Sequence, residues 1–289
     1  MGQIEKVGVV GAGQMGGGIA QVAAVAGLDV RVYDASAEQV ERCKATHRKL
    51  LARAVEKGKM DQAQADAALG RIAYAQDLAE LTDRQIVIEA VVEDEQVKKD
   101  LFARLDQACP ADCILATNTS SISITAIASA TTRPQRVIGM HFFYPVPVMT
   151  LVEVINGLLT DQAVTQAVLD LAQRMGKTAV PANDRAGFVS NRILMPMINE
   201  AFYAWMEGVA EPEHIDQIMK LGMNHPMGPL RLADFIGLDT CAHIMNVLAD
   251  GLHDERYRPC PLLEQLVTAG RLGNKTGHGV YAYDDNARS

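Results

Sequence analysis

The 289-residue sequence has few cysteines, few aromatic residues and no excess of positive charge. Its five cysteines form no C-x-x-C pair and show no metal-ligand spacing with histidine, so we expect no metal site and a reducing, cytoplasmic compartment. No apolar run reaches the roughly 20 residues of a membrane span. The first predicted strand begins too early to leave room for a signal peptide. A net charge of −8 argues against nucleic acid as a partner.

With 48% hydrophobic and 21% charged residues, the composition is ordinary for a globular protein, and the length suits two domains. Strand and helix patterns alternate through the first part of the chain, which is typical of an α/β fold with a doubly wound, mostly parallel sheet. The stretch 181–187 contains proline and glycine and predicts a boundary. Beyond it the pattern is helical up to a predicted strand at 280–283. We expect a Rossmann domain at 1–185, with a helical hairpin inserted at about 36–70, and a smaller all-α domain at 186–289.

The clearest motif is a glycine-rich turn between the first predicted strand and helix. Gly11, Gly13 and Gly16 form a G-x-G-x-x-G pattern, and Asp34 ends the next predicted strand, which is the order of a dinucleotide-binding unit. Such glycines allow a tight turn, close approach of a pyrophosphate to the helix N-terminus, and close helix packing. Asp34 can bind both ribose hydroxyls and would repel a 2′-phosphate, so the sequence favours NAD over NADP. Arg31 is the one feature against that preference.

A strongly basic segment follows this motif. Between positions 42 and 59, seven Lys or Arg residues against one acid give a local charge of +6. Lys49, Arg53 and Lys57 recur at i, i+4 and share one face of a predicted helix; we call them the basic row. The basic row is either a solvated helix face or a site for a polyanionic ligand distinct from the dinucleotide, such as coenzyme A with its phosphates.

Two predicted strands carry candidate catalytic groups. His141 ends a run rich in β-branched residues, which would place it at the sheet edge where α/β proteins bind ligands. Glu153 interrupts another apolar run, where a carboxylate is costly to bury unless it is paired. We predict that Glu153 pairs with the His141 imidazole, orients it and stabilises its protonated form. The alternative is a satisfied core histidine and an edge-strand glutamate.

Further polar residues should reach the same edge. Glu93 and Lys98 flank a strand-to-helix loop, and the run Asn118–Ser121 follows the next predicted strand. That run is either a helix N-cap or part of a polar site. Asn191 begins the first helix of the second domain, whose apolar stripe indicates burial in a core or in a subunit interface.

Taken together, these motifs resemble the 3-hydroxyacyl-CoA dehydrogenase family, most closely its short, stand-alone 3-hydroxybutyryl-CoA branch. The matching stretches run nearly end to end: Gly11–Gly16, Ile88–Ala90, Asn118–Ser121, Gly139–Phe143, Pro145–Met149, Leu151–Val154, Gly187–Arg192, Lys220–Gly222, His225–Pro229, Asp234–Asp239 and Lys275–Gly277. The resemblance implies an NAD-dependent oxidoreductase that interconverts a short-chain (S)-3-hydroxyacyl-CoA and its 3-oxoacyl-CoA. It places the enzyme in fatty acid metabolism and β-oxidation.

The resemblance also implies roles for individual residues. His141 would be the general base that takes the 3-hydroxyl proton, with Glu153 as its orienting carboxylate. Ser120 and Asn191 would hydrogen-bond the reacting oxygen of the substrate, and the helical domain would complete the substrate site and form a homodimer. The other expected contacts are Gly11, Gly13, Gln14, Met15, Gly16, Asp34, Glu93, Lys98 and Asn118 with NAD, and Lys49 and Lys57 with coenzyme A.

One residue departs from the family pattern, and two other functions stay open. The family often has Asn after His-Phe-Phe, whereas this chain has Tyr144, which bears on the substrate preference more than on the reaction type. A dehydrogenase for a free 3-hydroxy or sugar acid, such as L-gulonate, would need no basic hairpin. A non-catalytic dinucleotide-binding protein would not need all four catalytic positions filled. A metal-dependent enzyme would need clustered ligands, which the sequence lacks.

Overall fold

A computed structural model of the chain describes residues 2–283. It contains two compact units, which divide between Asp184 and Arg185. The first unit is built on a sheet and the second on helices, so the predicted order of an α/β domain followed by an all-α domain is confirmed.

The first unit has one eight-stranded sheet with the order β3-β2-β1-β4-β5-β6-β7-β8. The strands are β1 (Lys6–Val10), β2 (Asp29–Tyr33), β3 (Ile72–Ala75), β4 (Ile86–Glu89), β5 (Ile114–Thr117), β6 (Val137–Phe142), β7 (Leu151–Asn156) and β8 (Thr178–Asn183). Neighbouring strands are parallel except β6 and β7, which pair antiparallel. The start of β7 therefore lies beside the carboxyl end of β6, at the edge where β1, β4 and β5 also end.

Burial on both faces explains the apolar strands. Every residue of β4, β5 and β6 is buried, which is the usual state of parallel strands covered by helices on two sides. The helices of this unit are α1 (Gln14–Val25), α2 (Ala37–Glu56), α3 (Gln62–Gly70), α4 (Glu95–Ala108), α5 (Ile124–Ala128) and α6 (Gln162–Arg174). The helices α2 and α3 form a hairpin whose turn uses Gly58 at a φ of 64°.

The second unit packs its helices around one apolar core. They are α7 (Ser190–Met206), α8 (Pro212–Gly222), α9 (Pro229–Ile236), α10 (Leu238–Leu252) and α11 (Pro261–Thr268). The core is formed by fully buried side chains such as Ile198, Phe202, Leu230, Leu238 and Leu248. Within residues 2–283, no single helix is long and apolar enough to cross a membrane, although α9 and α10, bent by 98°, pass that length and composition test as a pair.

The predicted strand at 280–283 is wrong. Ala282 makes only an isolated bridge with His278, and no ladder extends from it in the described part of the chain. The reason is Asp234, whose carboxylate accepts the N–H groups of Val280 and Tyr281 at 2.8 and 2.9 Å. Those donors are the ones that a strand ladder would need, so a carboxylate far away in sequence has replaced the sheet partner.

Candidate active site

His141 and Glu153 face each other on adjacent strands. The antiparallel register of β6 and β7 places the two residues directly opposite. Nδ1 of His141 lies 2.8 Å from Oε2 of Glu153, and both residues are more than nine-tenths buried. An ionised carboxylate only accepts hydrogen bonds, so Nδ1 carries the hydrogen and the lone pair of the neutral imidazole is on Nε2. The predicted pairing is therefore present, in the geometry that suits a histidine base with an orienting carboxylate.

Asn118 ties the end of β5 to the end of β6. Its Oδ1 accepts a hydrogen bond from the backbone N–H of Phe142 at 2.9 Å, one residue after His141. The asparagine thus helps to fix the backbone that carries the imidazole, a role that the sequence did not indicate. Its expected contact with NAD stays a prediction.

The loop between His141 and Glu153 is held by a buried lysine. Lys177 donates from Nζ to the carbonyl oxygens of Val146 at 2.5 Å and Met149 at 2.7 Å. Burial lowers the pKa of Lys177 below its usual value. Tyr144, which replaces the expected Asn, lies at the start of this loop and is 50% exposed. The tyrosine ring is therefore accessible at the sheet edge.

Glu93 organises the loop after β5. Its Oε1 accepts hydrogen bonds from the backbone N–H of Ser120 at 2.8 Å, from Ser120 Oγ at 3.2 Å and from Thr119 Oγ1 at 2.6 Å. Burial opposes the ionisation of Glu93, but the charge of Lys98 and the bonds from Thr119 and Ser120 lower its pKa below the usual value. The structure thus brings the predicted residues Glu93, Lys98 and Ser120 together.

Lys98 lies inside the unit, where it meets a second carboxylate. It is 1% exposed, and its Nζ lies 2.5 Å from Oε1 of Glu89 and 3.4 Å from Oε2 of Glu93. Glu89 is the last residue of β4 and is fully buried. The sequence shows the same signal for Glu89 as for Glu153: a carboxylate in an apolar strand, which is costly to bury unless it is paired.

The glycine loop has the features that a dinucleotide requires. Gly11 has a φ of 105°, and a Cβ on Gly16 would lie 1.8 Å from the Gly11 carbonyl oxygen, so both positions exclude a side chain. Gly13 is the N-cap of α1, forms no side-chain cap, and would present an added Cβ to open space. Asp34 accepts the Ala12 N–H at 2.8 Å through Oδ2, which fixes the carboxylate beside the loop. The open helix N-terminus and this carboxylate fit a pyrophosphate and a ribose.

Neighbouring residues support the preference for NAD. The Arg31 guanidinium donates to the Glu80 carbonyl and lies 3.3 Å from Asp83 Oδ1, so its charge is already paired within the unit. Arg31 is therefore less available to bind the 2′-phosphate of NADP. Gln14 and Met15 lie in the first turn of α1, the former exposed and the latter half-buried, where the sequence places the cofactor.

The basic row lies on the exposed side of α2 and extends to its C-cap residue, Lys57. Lys49, Arg53 and Lys57 are exposed, and within residues 2–283 none of them makes a salt bridge. In contrast, Arg42 and Lys44 of the same helix pair with glutamates one turn earlier. Positive side chains without an internal partner can accept an anion without first breaking an ion pair.

His47 was not singled out by the sequence. It is 1% exposed on the opposite side of α2, with Nε2 2.7 Å from the Gly17 carbonyl oxygen and Nδ1 2.8 Å from the Tyr74 hydroxyl. Because a carbonyl only accepts, Nε2 carries the hydrogen. His47 thus fastens the helix of the basic row to the helix that follows the glycine loop. The recurrence of Cys43, His47 and Leu51 at i, i+4 was the signal for a buried face.

Asn191 belongs to the second unit. It is the second residue of α7 and is buried, with 7% of its surface exposed. Its expected contact with the substrate stays a prediction.

The described chain shows neither a metal cluster nor a disulfide. Among residues 2–283, no group of three or more His, Cys, Asp or Glu side chains could hold a metal ion. All five cysteines of the sequence are free and buried.

Two family models cover most of the chain. Residues 6–185 match the NAD binding domain of 3-hydroxyacyl-CoA dehydrogenase, and residues 187–283 match the C-terminal domain of 3-hydroxyacyl-CoA dehydrogenase. The two matches meet within three residues of the division between the structural units.

Individual relatives are similar over almost their whole length. A protein of Bacillus subtilis named "Probable 3-hydroxybutyryl-CoA dehydrogenase" is 57% identical over 283 residues, covering 98% of this chain and 99% of the relative. The 3-hydroxybutyryl-CoA dehydrogenase of Bradyrhizobium diazoefficiens is 52% identical over 97% of this chain and 96% of its own. The crystal structure of (S)-3-hydroxybutyryl-CoA dehydrogenase from Ralstonia eutropha superposes with a TM-score of 0.96 at 48% identity, covering 98% of this chain and 100% of that one.

Proposed function

The chain belongs to the 3-hydroxyacyl-CoA dehydrogenase family and is an NAD-dependent oxidoreductase, and from this premise we propose that it interconverts (S)-3-hydroxybutyryl-CoA and acetoacetyl-CoA. The observation that carries the proposal is the buried bond of 2.8 Å between His141 and Glu153 at the carboxyl edge of the sheet. The names of the relatives support the short acyl chain.

In the direction of oxidation, Nε2 of His141 accepts the proton of the substrate's 3-hydroxyl. Glu153, fixed at 2.8 Å from Nδ1, stabilises the imidazolium that forms and keeps the ring from turning. Bound NAD supplies the acceptor for the hydride from C3. Ser120 is assigned to the reacting oxygen, where a hydrogen bond would hold it in line with the imidazole. The role of Asn191 at the same oxygen stays a prediction. In the reverse direction, His141 returns the proton to the same oxygen.

The first unit would hold NAD through the glycine loop and the carboxylate that follows β2. The open N-terminus of α1 suits the pyrophosphate, since its N–H groups have no capping side chain. Asp34 suits the ribose hydroxyls, and its negative charge disfavours a 2′-phosphate. Gln14, Met15, Glu93, Lys98 and Asn118 remain assigned to the surroundings of the cofactor.

The basic row would hold the phosphates of coenzyme A. Its side chains are exposed and make no salt bridge within residues 2–283, so their charge is available to a ligand. We retain Lys49 and Lys57 as the contacts. A free 3-hydroxy acid would make no use of this row, which favours a thioester over an acid such as L-gulonate.

The experiment that tests the proposal compares three substrates. NADH oxidation is followed with acetoacetyl-CoA and with free acetoacetate, and NAD reduction is followed with L-gulonate. We expect turnover with the thioester alone. Turnover with a free acid alone would contradict the coenzyme A assignment, and absence of turnover with all three, while NADH still binds, would contradict the short acyl chain.

We also propose that the second unit forms a homodimer. It exposes large apolar side chains, which are costly to leave in water and are common in subunit interfaces: Val189, Ile193, Ile218, Leu221, Met223 and Phe235. Light scattering should give twice the chain mass of 31.2 kDa. Replacing both Ile218 and Leu221 by Asp should shift that mass towards the monomer, and an unchanged mass would remove this surface from the proposal.

We also propose that the protein acts in the cytoplasm, in fatty acid β-oxidation. Five free, buried cysteines suit a reducing compartment, which supports the cytoplasm. A short-chain 3-hydroxyacyl-CoA is produced by hydration of an enoyl-CoA, and a 3-oxoacyl-CoA is consumed by thiolysis, so the reaction fits fatty acid β-oxidation. Fractionation of the native cells should recover the protein with cytoplasmic markers.

A further inference from the structure

Glu89 makes more contacts than a carboxylate at the end of a buried strand needs. Its Oε1 accepts the Val91 N–H at 2.7 Å and lies 2.5 Å from Lys98 Nζ, while Oε2 accepts from Thr117 Oγ1 at 2.6 Å. Glu89 and Lys98 are 0% and 1% exposed, so water does not screen their attraction. The pair is therefore fixed in position.

Two routes lead from Glu89 to the loop after β5, residues 118–121, which we call the serine loop. The first passes through Lys98 to Glu93 at 3.4 Å and from there to the N–H and Oγ of Ser120. The second passes through Thr117, whose Oγ1 also accepts the Thr119 N–H at 3.2 Å. Both routes end on the same turn of the serine loop.

The two carboxylates compete for one ammonium group. Lys98 lies 0.9 Å nearer to Glu89 (2.5 Å) than to Glu93 (3.4 Å), so most of its attraction is directed into the sheet. Without the charge on Glu89, Lys98 would have Glu93 as its carboxylate partner in this cluster and would approach it. That movement would draw Oε1 of Glu93 away from the serine loop, because a buried lysine requires a close counter-charge.

We infer that Glu89 is a positioning residue, which fixes the direction of the Ser120 hydroxyl. It does so by holding Lys98 away from Glu93 and by holding Thr117 in place. The inference rests on the proposed function, in which Ser120 binds the reacting oxygen. Glu89 touches no reacting atom in this scheme and acts through the serine.

The test is a double-mutant cycle between Glu89→Gln and Ser120→Ala. Gln keeps the size of the side chain and can bond Thr117 with donor and acceptor reversed, but it removes the charge. In the wild-type background we expect Glu89→Gln to lower kcat about tenfold, with the KM for NADH within about threefold, because the reacting geometry is displaced. In the Ser120→Ala background the same change should lower kcat by less than about twofold, since the group that it positions is gone.

A matched control separates positioning from stability. Asp106 and Arg133 form another buried pair of the first unit, at 2.6 Å with both side chains 7% exposed. Asp106→Asn should lower the melting temperature as Glu89→Gln does, without lowering kcat. Glu89→Asp, which keeps the charge but shortens the side chain, should recover part of the lost kcat.

The remaining outcomes decide the inference. Equal losses of kcat in both backgrounds, or no loss in either, would overturn it. If Glu89→Gln does not fold, Thr117→Val in the same cycle cuts the second route alone and should lower kcat about twofold to threefold, again only when Ser120 is present. The cycle is run with whichever of acetoacetyl-CoA and acetoacetate the wild-type protein reduces, so failure of the thioester assignment leaves this test intact.

Discussion

The carboxyl edge of the sheet and the basic row of α2 use charge in opposite ways. At the sheet edge the ionisable groups are buried and hydrogen-bonded within the protein, as in Lys98 with Glu89 at 2.5 Å and His141 with Glu153 at 2.8 Å. On the basic row the side chains are exposed, and within residues 2–283 they make no salt bridge. Buried pairs are rigid and little affected by salt, whereas exposed charges are mobile and screened.

This difference separates the two tasks that the proposed reaction sets. Proton transfer needs donor and acceptor within a few tenths of an ångström of their working positions, which a buried network supplies. Attraction of a flexible, highly charged coenzyme needs charge more than geometry, which exposed lysines supply. Substitutions at the sheet edge should therefore change kcat, and substitutions on the basic row should change KM and its salt dependence.

The largest effect is expected at His141. His141→Gln removes the base but keeps a polar side chain beside Glu153, so we expect kcat to fall by about 10²–10⁴-fold. The dissociation constant of NADH, measured by fluorescence titration, should stay within about threefold, because the glycine loop and Asp34 are untouched. Near-full activity in this variant would refute the assignment of His141 and with it the division of tasks between the two regions.

An intermediate effect is expected on the basic row. Lys49→Gln with Lys57→Gln should raise the KM for acetoacetyl-CoA about tenfold at low salt, with kcat and the KM for NADH unchanged, because each exposed ion pair adds little by itself. The difference from wild type should shrink as salt rises through a few hundred millimolar, since screening already removes the attraction. Steady-state kinetics across a salt series measures both the rise in KM and its decrease with salt.

A charge-matched control belongs with that measurement. Lys99→Gln with Arg104→Gln removes two positive charges from α4 of the same unit and should leave the KM for the thioester unchanged. An equal rise in both double variants would mean that net charge alone steers the substrate. No rise in either would show the basic row to be a solvated face.

The parts of the site that could be predicted from the sequence are those set by neighbours along the chain. The glycine loop and Asp34 follow from local turn geometry, and the hairpin follows from helical periodicity. The pairing of His141 with Glu153 could be argued only from the cost of burying a lone carboxylate, because sequence spacing does not give the register that places them opposite each other.

Long-range hydrogen bonds could not be predicted from neighbours along the chain. Glu89 accepts a hydrogen bond from the Thr117 hydroxyl across the β4–β5 pairing, and Asn118 accepts one from the N–H of Phe142 on β6. The expected strand at 280–283 failed for the same reason, since Asp234 takes its donors from a position 46 residues away. A carboxylate or an amide in an apolar sequence indicates that a partner exists, but the tertiary fold decides which one it is.

The smallest effect is expected in the pH dependence of stability, through His47. This residue is buried on the side of α2 opposite the basic row. Burial lowers the pKa of His47 from its usual 6.5, although the bond to the Gly17 carbonyl opposes this. As the pH falls below 6.5, the unfolded chain therefore takes up a proton that the folded chain refuses, and stability is lost. Cys43, whose pKa is raised to about 11 by burial and the charge of Asp34, does not titrate in this window.

His47→Gln should remove that part of the pH dependence. Gln can still donate to the Gly17 carbonyl and accept from Tyr74, so the variant should fold. On lowering the pH from 8 to 5, the melting temperature of the wild type should fall further than that of the variant, because only the wild type has to keep a buried imidazole neutral. The exposed His243→Gln serves as control and should follow the wild type. Parallel curves for His47→Gln and wild type would mean that His47 titrates alike in both states, and that α2 is held to α1 by packing without a neutral imidazole.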